Sequence, residues 1–172
     1  TPLIHYGFNL EASWKNFDIY ALLQGAGMYT VQFSEVYAEV LWSKGANTPA
    51  YFYDRWRKED PYNPNSKWVA GKWPATRLIQ DTGAMYKESN IWRRDASYLR
   101  LKTLELGYTL PDSILRKSGI SNIRFYINGY NLLTFCDSFV KAFDPEKVEG
   151  SYSAGMNYPL TKSFNIGFTA NF

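Results

Sequence analysis

The sequence predicts an all-β fold, a segment of a transmembrane antiparallel β-barrel. Apolar and polar residues alternate in five stretches, each with at least the roughly 9–11 residues that a tilted strand needs to cross a bilayer. The connections between the stretches alternate between short and long, as they do in outer-membrane barrels. Aromatic residues on the apolar side gather at one end of the strands. They form a predicted membrane girdle of Trp14, Phe17, Tyr108, Phe125 and Phe172.

The strands are expected at about residues 5–14, 17–31, 97–110, 122–135 and 163–172. Lys15 and Asn16 make the two-residue connection of a tight hairpin between the first two strands. In the third strand the apolar residues change phase, which predicts a β-bulge near Lys102. The fourth strand keeps its alternation except at Asn131, and the fifth alternates throughout. Residues 111–120 begin with proline and have glycine near their end, so they predict a single short helical turn.

Two long connections, 32–96 and 136–162, are expected to be extracellular loops. The first contains five of the six tryptophans. The helical spacing of its first apolar residues predicts a short helix from about Phe33 to Gly45. Flat aromatic faces suit sugar rings, and four residues are therefore candidates for contact with a substrate or a covering partner: Tyr53, Trp56, Trp68 and Trp73. The alternative is that these rings form the core of the loop itself.

Composition and charge narrow the classes of function. Aromatic residues make up 18% of the chain and the net charge is +3, which argues against a disordered tail and a dedicated nucleic-acid binder. The chain has one histidine and one cysteine, so a His-based metal centre, a His-dependent triad and a disulfide framework are not expected. Asp144 and Glu146 are interpreted as solvated loop charges or caps, and Arg100 as a charge at the barrel mouth or at the lipid headgroups. We therefore expect no catalytic activity, cofactor or metal.

Five strands cannot close a membrane barrel, because open edges in lipid would leave backbone groups unpaired. The barrel interpretation therefore predicts a piece of a larger barrel, whose first strand starts from the extracellular side. A soluble β-sandwich would also show alternating strands, with the apolar side forming its core. That alternative predicts a soluble all-β carbohydrate-binding module that uses the tryptophan-rich loop 42–92 as its site.

Several segments of the chain form a recognisable set. They are WKNFD at 14–18, YLRLK at 98–102, LGYTLP at 106–111, GISNIRFYINGYNLLTF at 119–135, Asp144-Pro145-Glu146 and YPLTKSFNIGFTANF at 158–172. Residues 54–68 match the same pattern more loosely. Together these segments resemble the C-terminal region of the SusC-like (SusC/RagA family) TonB-dependent outer-membrane transporters. The resemblance implies a plugged barrel of about 22 strands, of which this chain supplies the last five. The plug and the TonB-contacting segment of that family are absent from the sequence.

The function implied by the resemblance is TonB-dependent import of nutrient oligosaccharides or peptides, as part of a SusCD-type complex. The implied location is the outer membrane of a Gram-negative bacterium. The implied partners are a SusD-like surface lipoprotein, the remainder of the same barrel and its plug, the TonB complex, the barrel-assembly machinery and the substrate. The last apolar residues resemble the signal that the assembly machinery reads: Phe164, Ile166, Phe168, Ala170 and Phe172.

Overall fold

Nine strands and two short α-helices make up the computed structural model, which describes residues 2–33, 48–75, 89–116, 119–147 and 157–172. The strands are β1 (Ile4–Trp14), β2 (Phe17–Gly27), β3 (Thr30–Gln32), β4 (Arg57–Lys58), β5 (Trp68–Val69), β6 (Arg93–Asp95), β7 (Tyr98–Thr109), β8 (Asn122–Cys136) and β9 (Ser163–Asn171). The helices are α1 (Asp112–Leu115) and α2 (Ser138–Lys141), and Ala50–Asp54 form a 3-10 helix. The helix expected over 33–45 lies, apart from Phe33, outside the described residues.

The five long strands form one antiparallel sheet in the order β1-β2-β7-β8-β9. Trp14 pairs with Phe17, Phe17 with Tyr108, Tyr108 with Phe125, and Phe125 with Phe168. Because side chains alternate between the two sides of a strand, this register places the apolar positions of all five strands on one side. The all-β antiparallel fold expected from the sequence is confirmed.

The apolar side of this sheet is not covered by other described parts of the chain. Phe8 is 58% exposed, Phe164 is 68% exposed and Ile166 is 85% exposed. A soluble sandwich buries this side in its core, whereas the outer wall of a membrane barrel turns it toward lipid. No helix among the described residues is long and apolar enough to cross a membrane.

The predicted bulge at Lys102 is confirmed. Thr103 pairs with Leu22 and Leu101 with Leu23, so Lys102 is left unpaired between them. In β8 the register against β7 shifts at the same level, where Asn131 takes a positive φ of 54°. The extra residue returns the apolar residues before it to the same side of the sheet as those after it, which explains the change of phase in the sequence.

The connection after β2 begins earlier than expected. The strand expected over 17–31 ends at Gly27, because Met28 has a φ of 52° and leaves the ladder. The chain resumes as β3, which pairs with β6 in a separate two-stranded sheet. The hairpin and the helical turn are confirmed: Lys15 has a φ of 56° between β1 and β2, and α1 is a single turn that follows Pro111.

The chain divides into two units. The first unit holds the five-stranded sheet and consists of Thr1–Thr30, Asp95–Lys147 and Tyr158–Phe172. The second consists of Val31–Arg94 and Val148–Asn157. In the second unit, the aromatic rings of Phe52, Trp73 and Trp92 are buried against one another, and the two indoles stack with centroids 5.2 Å apart. These rings give the described part of the second unit an apolar core of its own.

Candidate functional site

The polar side of the sheet carries a first ion-paired network near the aromatic row. Arg124 of β8 binds Asp18 of β2 with two guanidinium nitrogens, and its Nη2 lies 2.8 Å from Glu105 Oε1 on β7. Asn128 Nδ2 donates to Glu105 Oε2 at 3.1 Å, and Asn128 Oδ1 accepts from Asn165 Nδ2 of β9 at 2.9 Å. The network thus joins four adjacent strands through side chains as well as through the backbone ladder.

Gly107 makes this network possible. It pairs with Asp18 on one side and with Tyr126 on the other, so a side chain there would stand in the middle of the polar layer. A Cβ at Gly107 would overlap the guanidinium of Arg124 and the carboxylate of Asp18. The glycine therefore lets the ion pair lie flat across the backbone of β7.

A second ion-paired network lies at the opposite end of β7 and β8. Arg100 is only 3% exposed. Its Nη2 lies 2.6 Å from Asp144 Oδ1, its Nη1 lies 2.8 Å from Glu146 Oε2, and its Nε donates to Thr134 Oγ1 at 2.9 Å. Lys102, the bulged residue, adds a second cation 2.7 Å from Glu146 Oε1. Two cations therefore face two carboxylates.

This second network fixes the connection between β8 and β9. Asp144 is 4% exposed and has a φ of 62°, a conformation that Asp tolerates better than most residues. Its Oδ1 accepts the backbone N–H of Glu146 at 3.0 Å, and its Oδ2 accepts that of Leu160 at 2.8 Å. One carboxylate thus holds two separate parts of the connection against Arg100 of the strand.

The sequence analysis was wrong about the surroundings of these charges. Arg100 was expected as a barrel-mouth or lipid-headgroup charge, and Asp144 and Glu146 as solvated loop charges or caps, but Arg100 and Asp144 are buried and paired. The capping alternative agrees with the hydrogen bond from Glu146 N to Asp144 Oδ1. The change of phase at Lys102 places Arg100 on the polar side of β7, and Asp144-Pro145-Glu146 is one of the segments matched above, but neither feature indicates burial. Neither feature identifies the partner of Arg100, which lies 44 residues away along the chain.

Outside the long strands, Asp95 orders the entry to β7. Its Oδ1 accepts the backbone N–H of Ser97 at 2.8 Å. Hydrogen bonds from the side chain and from the backbone of Ser97 lower the pKa of the Asp95 carboxyl, because they favour its charged form.

The second unit carries an open groove of about 460 Å³. Its described lining contains two of the tryptophans expected to contact a substrate, Trp56 and Trp68, which are 45% and 55% exposed. The other lining residues are Arg55, Arg57, Lys58, Glu59, Pro61 and Ala75. The ammonium of Lys58 lies 4.7 Å from the centre of the Trp68 ring and donates to the Ser66 carbonyl at 2.6 Å.

The local fold explains why this groove exists. Lys58 pairs with Trp68 in the β4-β5 ladder, so their side chains lie on the same side of it. Trp56 N donates to Trp73 O at 2.8 Å and Trp73 N donates to Asp54 O at 3.0 Å. Gly71 lies so close to the segment at Arg55 that a Cβ there would overlap its backbone.

The structure separates the four candidate contact residues. Trp56 and Trp68 line one groove, whereas Trp73 is 4% exposed and packs against Phe52 and Trp92. Tyr53 is 84% exposed and is not part of the groove lining. Trp73 thus has the core position that the sequence analysis held open as an alternative.

The girdle residues form a row across the sheet. Four of the predicted girdle residues occupy directly paired positions on β1, β2, β7 and β8: Trp14, Phe17, Tyr108 and Phe125. The ring centroids of Phe17 and Tyr108 lie 4.7 Å apart. In β9 the paired position belongs to Phe168, whose ring lies 6.2 Å from that of Phe125. The predicted member Phe172 follows the last paired residue, Asn171, and is 91% exposed. The other residues of the predicted assembly signal all lie in β9: Phe164, Ile166, Phe168 and Ala170.

A sheet with one exposed apolar side, one ion-paired polar side and an aromatic row belongs to the class of transmembrane β-barrel walls. No protein-family model matches the chain. Over 183 aligned residues it is 32% identical to "TonB-dependent receptor P3" of Formosa agariphila, covering 100% of this chain and 16% of that protein. It is 28% identical over 185 residues to "TonB-dependent receptor P26" of the same organism, covering 99% of this chain and 17% of that protein.

The solved structures give the same result. The RagAB peptide importer in its "open-open" state matches with a TM-score of 0.70 and 26% identity, over 100% of this chain and 17% of that chain. Its "closed-closed" state matches with a TM-score of 0.70 and 27% identity, over 98% and 17%. These findings support the assignment of the chain as a C-terminal fragment of a SusC-like TonB-dependent transporter, a family of Gram-negative outer-membrane proteins. The matched proteins are receptors and importers, not enzymes.

Proposed function

We propose that the complete protein imports nutrient oligosaccharides or peptides across the outer membrane in a TonB-dependent manner, within a SusCD-type complex. The observation that carries the proposal is the match of the whole chain to the RagAB importer, at a TM-score of 0.70 and 26% identity. The chain spans only 16% and 17% of the curated relatives, so the activity belongs to a larger protein.

In this function the five-stranded sheet is part of the barrel wall. Its exposed apolar side faces lipid, and the networks around Arg124 and Arg100 face the interior. Charges inside a membrane protein need partners, and every charged group of these two networks has one. The sheet provides a rigid, non-reactive wall, and no covalent step is required of it.

The partners that we propose are a SusD-like surface lipoprotein, the remainder of the same barrel with its plug, the TonB complex and the barrel-assembly machinery. The two-component RagAB importer, matched in three structures, supports the lipoprotein partner. The alternation of apolar residues in β9 supports recognition by the assembly machinery.

The alternative of a soluble carbohydrate-binding module conflicts with the exposed apolar side of the sheet. Trp14, Phe125 and Phe168 are 68%, 48% and 68% exposed, and further large apolar residues on this side are also exposed. An apolar patch of this extent belongs in lipid or in an interface.

The proposal is tested in the native bacterium by deleting the gene of the complete receptor. We expect the deletion to abolish uptake of labelled oligosaccharides or peptides, and the wild-type gene to restore it. A gene without the TonB-contacting segment should give a receptor that reaches the outer membrane but does not restore uptake. Unchanged uptake of every tested oligosaccharide and peptide in the deletion strain would contradict the proposal.

A further inference from the structure

The groove in the second unit combines exposed aromatic rings with an excess of positive charge. Trp56 and Trp68 are about half exposed, although large aromatic side chains of the same unit such as Trp73 and Trp92 are buried. Among the described residues, the groove lining contains three cationic side chains, Arg55, Arg57 and Lys58, and one carboxylate, Glu59. Its volume of about 460 Å³ lies within the range of about 300–1,000 Å³ that is usual for small-ligand sites.

From these features we infer that the groove is a binding subsite for an acidic oligosaccharide, one that carries carboxylate or sulfate groups. The inference rests on the proposed import function and narrows its substrate class. The face of an exposed indole matches the apolar C–H face of a pyranose ring. The neighbouring cations supply the charge that an acidic sugar needs and that a neutral sugar does not.

Lys58 links these two features. Its ammonium lies over the Trp68 ring, 4.7 Å from the ring centre, so the cation occupies one face of the indole and a sugar ring would stack on the opposite face. Its hydrogen bond to the Ser66 carbonyl holds this position without neutralising the charge, because that acceptor is uncharged. An acidic group that extends past the edge of the indole from that sugar would therefore meet a fixed cation.

The surrounding chain makes the groove a preformed site. The 59–67 turn is closed by the hydrogen bond from Glu59 N to Lys67 O at 3.0 Å. Inside the turn, Asp60 N donates to Ser66 Oγ at 2.8 Å and Tyr62 N donates to Asp60 Oδ1 at 2.9 Å. A preformed site loses less conformational entropy on binding than a loop that must be ordered by its ligand.

The test uses the complete receptor, purified in detergent with its lipoprotein partner. Binding is measured by calorimetry for a panel of uronate and sulfated hexasaccharides, with neutral hexasaccharides and hexapeptides of similar size as comparison. We expect at least one acidic oligosaccharide to bind at least ten-fold more tightly than its neutral counterpart. This preference should decrease as salt is raised, because salt screens partly exposed charges.

Variants assign the binding to the groove. Trp68→Ala should weaken acidic oligosaccharide binding at least ten-fold, and Trp68→Phe should restore part of it. Lys58→Gln should remove the preference for acidic over neutral sugars, whereas Lys58→Arg should retain it. Tyr62→Ala is the matched control, because Tyr62 lies in the same turn, is 94% exposed and is not part of the groove lining.

Four results would overturn the inference. They are equal binding of neutral and acidic sugars, no binding of any acidic oligosaccharide, binding only of peptides, and unchanged affinity in both Trp68→Ala and Lys58→Gln. If uptake by the complete receptor persists in any of these cases, the subsite is refuted while the import function stands. If deletion of the receptor gene leaves all uptake unchanged, the import function itself fails.

Discussion

Asp144→Asn tests whether the buried network holds the connection between β8 and β9. The substitution keeps the shape of the side chain, and Asn tolerates the positive φ of 62° at this position. It removes the negative charge opposite Arg100 and replaces one acceptor oxygen by an NH₂ group. If that group takes the place of Oδ2, it faces the N–H of Leu160, which then loses its acceptor.

The expected cost follows from these contacts. An unsatisfied buried donor costs about 1–3 kcal/mol, and a hydrogen bond to a charged group is worth about 1 kcal/mol more than one between neutral groups. We therefore expect the connection to lose about 3 kcal/mol of local stability, the lower end of the about 3–5 kcal/mol measured when buried pairs are broken. We use the lower end of this energy range because Glu146 and Thr134 still bind Arg100 in the variant.

The assay is amide hydrogen exchange in the complete receptor. A loss of about 3 kcal/mol corresponds to about 150-fold faster exchange where exchange requires local opening. The increase should be greatest at the amides of Leu160 and Glu146, which donate to Asp144. Asp137→Asn is the matched control with the same chemical change: Asp137 caps α2, and Asn is an equally good cap. Unchanged exchange at Leu160 in Asp144→Asn would refute the reasoning.

Two glycine substitutions test close approaches of the backbone. Gly71→Ala places a methyl group against the backbone at Arg55, so we expect a local loss of about 1–3 kcal/mol, measured as faster amide exchange across β4 and β5. Gly107→Ala displaces the ion pair of Arg124, and we expect a lower melting temperature of the detergent-purified receptor. Gly7→Ala is the control for the second substitution, because its Cβ would meet only a carbonyl oxygen at an ordinary 3.6 Å. Melting temperatures lowered equally by both substitutions would contradict the role assigned to Gly107.

The long strands could be predicted because each has one apolar side and one polar side, so apolar and polar residues alternate along the sequence. Alternation fixed the apolar side of every strand, and the change of phase at Lys102 revealed the bulge. The end of β2 was missed because the alternation continues past Gly27, while the φ of Met28 breaks the ladder without any change in polarity. Alternation reports which side a residue occupies, and it does not report where the backbone leaves the sheet.

The buried ion pair could not be predicted for a different reason. Alternation and the bulge together place Arg100 on the polar side of β7, which agrees with the structure. Whether Arg100 is solvated or buried on that side depends on the connection between β8 and β9, which packs against it. The partner in that connection, Asp144, lies 44 residues from Arg100 in the sequence. Burial of a charge in this way is set by tertiary contact, and no local pattern records it.

The tryptophans of the second unit also show that a local sequence pattern does not reveal which side chains are buried. Trp68 and Trp73 lie five positions apart, yet one is 55% exposed and the other 4% exposed. Neither belongs to a long regular strand or helix, so no period separates an inward position from an outward one. Trp73 is buried because its backbone pairs with residues 54 and 56 and brings its ring against Phe52 and Trp92. Trp68 pairs instead with Lys58, and that pairing leaves an indole and a cation together at the surface. Backbone pairing therefore separates the buried Trp73 from the exposed Trp56 and Trp68 in this unit, and the proposed recognition of an acidic sugar falls on the two exposed indoles.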